Sequence, residues 1–345
     1  MKKQYTINEI AEILKLSRNT VAKVINGKPG VSEKTKKLIL DFLSINQSTA
    51  DKDSLSQYTS AQKGNVIFTY HLSYNEYLHN ILTGMESYLK ENGYALVLNI
   101  IRDNDVNNIS MPASLYNGSV CGIISFNIFS IQYWNEITSL NIPSVFIDTF
   151  YQHHLFAGKA DIIAPENSST IHEIMNLLIK NGKKTFGFIG YPQFCFSSYQ
   201  RWIAFKDALE IADLPLHEEY CIYDNLILYS DIEQIDLLKR RIKAMPKCPD
   251  VFLCSSDSFA IILSCALQDL GYQMPTDVSI IGFDNLSETV RQSPSITTID
   301  AHSEYLGKMA AKKILERLED PQKHYEFTLY ETNLVIRDST TPFTV

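Results

Sequence analysis

The run Ser17-Arg18-Asn19-Thr20 sets two base-reading side chains between two hydroxyls, just before an apolar spacing that continues through Val21 and Val24. Arginine pairs bidentately with the guanine edge and asparagine with the adenine edge, and the major groove admits one α-helix. Arg18 and Asn19 are therefore candidate base contacts. Ser17, Thr20, Lys23, Asn26 and the cluster Lys34, Lys36, Lys37 are candidate phosphate contacts, with Thr6 at the preceding helix start added to the same interface. A second constellation is spread along the chain, in the segments following short β-branched runs: Tyr70, His71 and Tyr74; Phe126 and Asn127; Asp148; Tyr191, Phe194, Phe196 and Arg201; Ser256 and Asp257; Asp284. Aromatic faces beside a few convergent polar groups suit a sugar, whose ring faces stack while its hydroxyls need paired acceptors. On the residues alone, Asp284 reads as a turn cap, Tyr70, Phe194 and Phe196 divide evenly between core and platform, and His71 carries no argument.

Three kinds of chain must position these residues. Residues 1–46 hold nine Lys/Arg against four Asp/Glu, a net of +5, whereas the other 299 residues hold 22 against 35, a net of −13. The overall −8 thus averages a basic head and an acidic body, the asymmetry of a nucleic-acid-binding module joined to something else. In the head, Thr6-Ile7-Asn8-Glu9 is a capping box followed by Ile7, Ile10, Ala11 and Leu14 on one face. A turn at Lys15-Leu16 and a Ser17 cap start a second helix over 18–25, whose Val21, Val24 and Ile25 face the first. Ser32 opens a third, with Leu38, Ile39, Phe42 and Leu43 closing a small core. That spacing is a helix-turn-helix. Residues 47–63, rich in Ser, Thr, Gln and Asp, have no apolar period and read as a linker.

From Gly64 the chain alternates β-branched runs with amphipathic stretches, the pattern of parallel strands joined by crossover helices. Strands are predicted at 66–69, 95–100, 121–126, 144–147, 185–189, 220–223, 251–254 and 278–281. Helices are predicted to end at Gly93, Gly182 and Gly271, where glycine supplies the left-handed cap. No window reaches the roughly 20 apolar residues of a membrane span, and no apolar signal core follows Lys2 and Lys3. Six scattered cysteines without Cys-x-x-Cys spacing read as reduced core residues of a cytoplasmic protein.

Catalytic patterns fail. Asn181-Gly182-Lys183-Lys184-Thr185 resembles the end of a phosphate-binding loop, but Leu177 stands where that loop needs glycine. There is no Gly-x-Ser-x-Gly elbow, and the eight histidines show no metal spacing, His153-His154 reading as a surface loop. Neither enzyme activity, cofactor nor metal is expected.

The blocks Thr6-Ile7-Asn8-Glu9-Ile10-Ala11, Leu16 through Gly27 and Val31-Ser32-Glu33-Lys34-Thr35 resemble the head of the lactose-repressor/galactose-repressor (LacI/GalR) family. The similarity continues through Lys180 to Gly190, Arg201 to Leu209, Pro275 to Asn285 and Ser295 to Ile299, nearly to the end of the chain. The resemblance implies an all-α three-helix helix-turn-helix head (1–46), a hinge (47–63), and an α/β periplasmic-binding-protein-like body (64–340) of two parallel-sheet subdomains. The chain would cross between subdomains near Ala164, Ala301 and Phe327. One subdomain would comprise about 64–164 and 301–326, the other 165–300 and 327–340.

The resemblance places the two base-reading positions on Arg18 and Asn19, the family's effector-binding Arg on Arg201 and its effector-binding Asp on Asp284. It also implies a repressor that binds a pseudo-palindromic double-stranded operator as a homodimer or a tetramer, controlled by a sugar or sugar phosphate. Two departures stand out. Ser256 replaces an asparagine of the family pattern, shortening the reach toward a ligand. The linker lacks the family's Ala-Arg-rich hinge helix, leaving Leu55 to serve as minor-groove wedge. A reading from another class remains beside this one: a solute-sensing protein whose basic head makes protein contacts.

Overall fold

The computed structural model describes residues 7–25, 30–46, 63–71, 76–102, 111–152, 158–224 and 230–340. The chain divides into two compact units, Met1–Gln62 and Lys63–Val345. In the first, α1 (Ile7–Ile13), α2 (Arg18–Ile25) and α3 (Glu33–Asn46) enclose a small core of Ile10, Ala11, Val21, Val24 and Ile39, with Ile7, Leu14, Leu16, Val31 and Phe42 packed against it. The turn between α1 and α2 closes through the Leu16 amide, which donates to the Ala11 carbonyl at 2.9 Å, with Lys15 in the left-handed region at φ 51°. Ile25 and Leu38, expected in this core, are 42% and 48% exposed. Ile25 is the last residue of α2. Leu38 lies one helical step, about 100°, from the buried Ile39.

The second unit holds two α/β subdomains. The first is built on a six-stranded parallel sheet, in spatial order β10-β5-β4-β3-β1-β2, of β1 (Gly64–His71), β2 (Tyr94–Ile101), β3 (Gly122–Phe126), β4 (Ser144–Ile147), β5 (Asp161–Pro165) and β10 (Phe327–Tyr330). On one face, α4 (Glu76–Glu91) and α11 (Ser303–Glu319) pack Leu78, Ile81, Met85, Leu306, Ala310 and Ile314 against Val66, Phe68, Ile124 and Ile147. On the other, α5 (Ile131–Ser139) lays Tyr133, Trp134 and Ile137 on Ile67, Ile123 and Phe146. The second subdomain has a parallel sheet of β6 (Phe186–Ile189), β7 (Val251–Cys254) and β8 (Ser279–Ile281), extended by single bridges from Ile189 to Ile222 and from Ile281 to Thr297. Helices α6 (Ser169–Lys180) and α7 (Phe196–Ile211) cover one face; α8 (Asp231–Ala244) and α9 (Asp257–Asp269) cover the other. A short α10 (Ser287–Arg291) precedes β9 (Thr298–Asp300), which pairs antiparallel with β11 (Asn333–Val335).

These details correct two expectations. The stretch 220–223 is not a strand: a 3₁₀ turn at Glu218–Tyr220 leads into one bridge at Ile222. The third crossing does not fall at Phe327, because residues 327–330 pair in register with 162–165 and complete the first sheet. The chain crosses after Tyr330. Gly93, Gly182 and Gly271 follow α4, α6 and α9 at φ +84°, +88° and +85°.

Arg317 fastens the end of α11 to β5. Its fork donates to both Asp161 oxygens at 2.9 and 3.0 Å, a buried bidentate pair that also reaches the carbonyls of Lys323 and His324. Helices α4 and α11 approach closely at two glycines. A Cβ on Gly84 would lie 1.9 Å from the Glu304 carbonyl oxygen, and one on Gly307 would lie 2.0 Å from that of Ile81. Gly307→Ala gains about 1 kcal/mol of helix propensity, but the clash is with backbone and costs about 3 kcal/mol. The variant is expected to unfold at lower urea concentration with an unchanged m-value; a midpoint at or above that of the native chain would contradict this packing.

Candidate functional site

In an open parallel sheet the crevice for a ligand opens at the carboxyl ends of strands where the order reverses. In the first sheet that point lies between β1 and β3, beside Tyr70 and Phe126, and in the second between β6 and β7, beside Gly190 and Ser255. The two edges are joined by contacts between subdomains. Asp148, at the end of β4 with φ 62°, accepts from the Thr149 amide at 2.7 Å and from the Ser197 amide in the first turn of α7 at 3.3 Å. The Phe196 amide donates to the Thr149 carbonyl at 2.7 Å, and Phe194 meets Phe129 edge-on at 5.1 Å. At the other side, Glu76 at the start of α4 accepts from the amide and hydroxyl of Ser287 at 2.9 and 2.8 Å.

Arg201, only 7% exposed, lies at the centre. Its Nε donates to Asn167 Oδ1 at 2.8 Å, and an Nη1 proton goes to the Ser255 carbonyl. The guanidinium stacks 3.4 Å over the Phe283 ring, and Asp284 Oδ1 stands 3.9 Å from Nη1. Asn167 is held in turn by Pro165 and Ser197. Asp284 adopts φ 119°, a conformation that strains an L side chain. Burial is the main cause that pushes its carboxyl up to about 8, aided by Asp257 and Asp300 and opposed by Arg201. Asp148 is also raised by burial, against hydrogen bonds from the Cys195 thiol, the Thr149 amide and Ser197.

The other effector candidates fall in different places. Phe126 is half-buried and tilted against Tyr77 at 6.1 Å. Tyr70, 6% exposed, stacks on Phe68 within the core of the first subdomain. Ser256 caps α9, accepting from the Phe259 amide. Asp257 is fully buried and spends its oxygens inside the second subdomain, accepting from the Leu286 amide at 2.8 Å and the Thr298 hydroxyl at 2.6 Å. It fixes the loop that carries Asp284 rather than facing the crevice, a correction to its expected role. Tyr74 lies outside the described residues, as do Thr6, Asn26 and Leu55.

Three residues not singled out by the sequence belong here. Tyr77 packs against the cores of both subdomains, and its hydroxyl feels Asp284, Arg201 and Asp148 together; burial raises its pKa. Asn167 and Ser255 hold Arg201. The amphipathic spacing of α4 marked a helix but not that Tyr77 faces a second subdomain, and the contribution of Ser255 is a backbone carbonyl.

In the head, Ser17 caps α2: its oxygen accepts from the Thr20 amide at 3.0 Å, and the two hydroxyls share a hydrogen bond at 2.8 Å. Arg18 and Asn19 are exposed on the first turn of α2, Lys23 is half-exposed further along, and Lys34, Lys36 and Lys37 are exposed on α3. Ser32 accepts from the Thr35 amide. Among the described residues no helix is long and apolar enough to cross a membrane.

A three-helix head of this kind and a two-subdomain binding-protein fold together define a ligand-responsive transcription regulator. Residues 175–340 match the periplasmic binding protein-like domain. The chain is 29% identical over 346 residues to the HTH-type transcriptional repressor PurR of Actinobacillus pleuropneumoniae serotype 3, covering 97% of this chain and 98% of that one. It is 24% identical to the probable HTH-type transcriptional repressor ExuR of Bacillus subtilis, with the same coverage. Its fold matches that of the transcriptional regulator CelR in complex with cellobiose, with TM-score 0.69 and 18% identity over 97% of this chain and 100% of that one. It also matches the lac repressor dimer bound to operator and the anti-inducer ONPF, with TM-score 0.68 and 17% identity over 99% and 100%. The chain is a transcriptional regulator that resembles the LacI/GalR family in its head and its body, and not an enzyme.

The raised carboxyl of Asp284 has a sign. Between its ordinary value of 3.8 and about 8, the unfolded chain has released a proton that the folded chain keeps, so this group makes stability fall as pH rises across that window. Asp284→Asn removes the effect. The Tm of the native chain relative to the variant is expected to drop steadily from pH 5 to pH 8.5; parallel curves would mean the carboxyl is not raised.

Proposed function

We propose that this regulator binds a pseudo-palindromic double-stranded operator through paired copies of its head and is controlled by a sugar or sugar phosphate held between the two subdomains of its body. The observation that carries the effector site is the convergence of Arg201, Asp284, Asp148 and Tyr77 from both subdomains on one crevice. Phe126 and Phe194 supply ring faces beside them, and Ser256 lies in the loop after β7.

For the head, support comes from the exposed Arg18-Asn19 pair on the capped first turn of α2 and from the exposed lysines of α3. A single head makes few contacts. Two heads related by a two-fold axis read two half-sites, so a homodimer is the expected binding unit. The effector acts by favouring one arrangement of the subdomains over another, and the segment 47–63 carries that change to the head. Repression is the expected output.

Gel-shift titrations on a selected operator test the head. Affinity is expected to fall steeply with salt, and Lys36→Ala combined with Lys37→Ala to lower the slope of log K against log salt by about 2. Arg18→Ala is expected to lose about 1–3 kcal/mol of base discrimination. Salt-independent binding would instead support the solute-sensing reading, in which the head contacts protein.

A further inference from the structure

The end of the second sheet away from the crevice reverses the charge of the body. Residues 177–185, from the last turn of α6 up to β6, and residues 239–250, from the second half of α8 up to β7, hold eight Lys/Arg and one Asp. The 299 residues after the head carry a net of −13. Strands β6 and β7 are parallel neighbours with Phe186 opposite Val251, which brings the two segments to one rim. They are also fastened to each other there. Asp250 Oδ2 accepts from the Lys184 and Thr185 amides at 2.9 Å each, and the Asp250 amide donates to the Thr185 hydroxyl at 2.9 Å. Burial works to raise the Asp250 carboxyl, but those hydrogen bonds and the charge of Lys247 outweigh it and hold the group below its usual value.

The carboxylates nearby neutralise only part of this charge. Lys239 is paired with Asp269 and Asp236 at 2.9 and 3.6 Å, and Arg241 with Asp224 at 2.8 Å. Lys180, Lys183, Lys184, Arg240, Lys243 and Lys247 have no ion pair among the described residues; Lys183 is half-exposed and the other five are exposed. The helix dipole accounts for Lys180 and Lys243, which stand in the last turns of α6 and α8. It does not account for Lys183, Lys184 and Lys247, which lie beyond the helix ends. The two segments contain no aromatic residue. Lysine is depleted from protein–protein interfaces, whose anchors are aromatic side chains and arginine. Against a phosphate, by contrast, lysine serves well as a point charge.

We propose that this rim is a second nucleic-acid surface, one that holds the phosphate backbone of duplex DNA without reading its sequence. It is made by the body alone, from residues that belong neither to the head nor to the crevice. Contacts of this kind draw on charge and counterion release, so they are weak, indifferent to base order and steeply salt-dependent. The acidic surface around the rim confines them without cancelling them. At physiological salt the Debye length is about 8 Å, so a backbone touching these lysines is screened from most of the remaining carboxylates. The rim thus gives the chain a hold on DNA that does not pass through the helix-turn-helix.

The test uses the full chain with its head contacts removed by Arg18→Ala, Lys36→Ala and Lys37→Ala, titrated against a fluorescent duplex of arbitrary sequence and followed by anisotropy. This chain is expected to bind the duplex at about 50 mM salt and to release it by about 200 mM. Adding Lys183→Gln, Lys184→Gln, Lys243→Gln and Lys247→Gln is expected to weaken binding at least tenfold at the lower salt, with Tm unchanged. The slope of log K against log salt is expected to fall by about 3–4. Lys→Arg changes at the same four positions are expected to keep the binding, which separates charge from any loss of fold. Absence of binding at the lower salt overturns the proposal, as does equal binding by the Gln variant or lost binding by the Arg variant. Polyglutamate held more tightly than the duplex, charge for charge, also overturns it, in favour of an acidic protein partner.

Discussion

A guanidinium buried as deeply as Arg201 is stable only if almost every donor finds an acceptor, since an unpaired charge in such surroundings costs several kcal/mol. Meeting that demand organises the crevice. Asn167 from the first crossing, the Ser255 carbonyl after β7, and Phe283 and Asp284 after β8 are brought to one point by it. Asp284 in turn sits where its backbone is strained and its carboxyl poorly solvated, a conformation kept in place because Asp257 holds the same loop through the Leu286 amide and Thr298. The strain at Asp284 is thus secured from within the second subdomain, leaving its carboxyl directed to Arg201 and whatever else enters.

The three crossings give this site its freedom of movement and also limit it. Thr170, just beyond the first, shares a hydrogen bond with Thr332 on the third, and Thr332 donates to the Glu166 carbonyl. His302, on the second at φ 47°, receives support from Asp300 and pairs with Asn333 on the third at 2.6 Å. Each crossing is therefore tied to the next by short polar contacts, and β9 and β11 pair across two of them. Cross-braced in this way, the three crossings form one connected set of segments.

Most of the architecture was legible because it rests on local pattern. The β-branched runs at 66–69, 144–147 and 251–254 can bury only as interior parallel strands, and Ser17 could serve only as a cap before the apolar steps of α2. Elements whose role depends on distant chain were harder to read. Phe327–Tyr330 is a weak strand with alternate residues exposed, and only its pairing with β5 shows which subdomain it joins. Asp257 and Asp284 look alike in sequence, each following a strand of the same sheet. One is buried under Leu286 and Thr298 and the other reaches Arg201, a distinction made by tertiary packing. Tyr77 and Ser255 escaped notice for the same reason, since one acts through the face its helix turns to another subdomain and the other through a carbonyl.

The contacts across the crevice also constrain how any ligand can act. Asp148 with Ser197, Phe196 with Thr149, Phe129 with Phe194 and Glu76 with Ser287 join the subdomains directly. A molecule lying between them would have to displace some of these contacts. Its effect on the balance between subdomain arrangements is then the difference between the contacts it makes in each and the contacts it displaces, not its affinity alone. Asp148 stands at this junction, because it accepts from the Thr149 amide of its own loop and from the Ser197 amide in the first turn of α7. The helix that carries Arg201 is thereby coupled to the loop after β4, so occupancy at one wall of the crevice is felt by the cation at its centre.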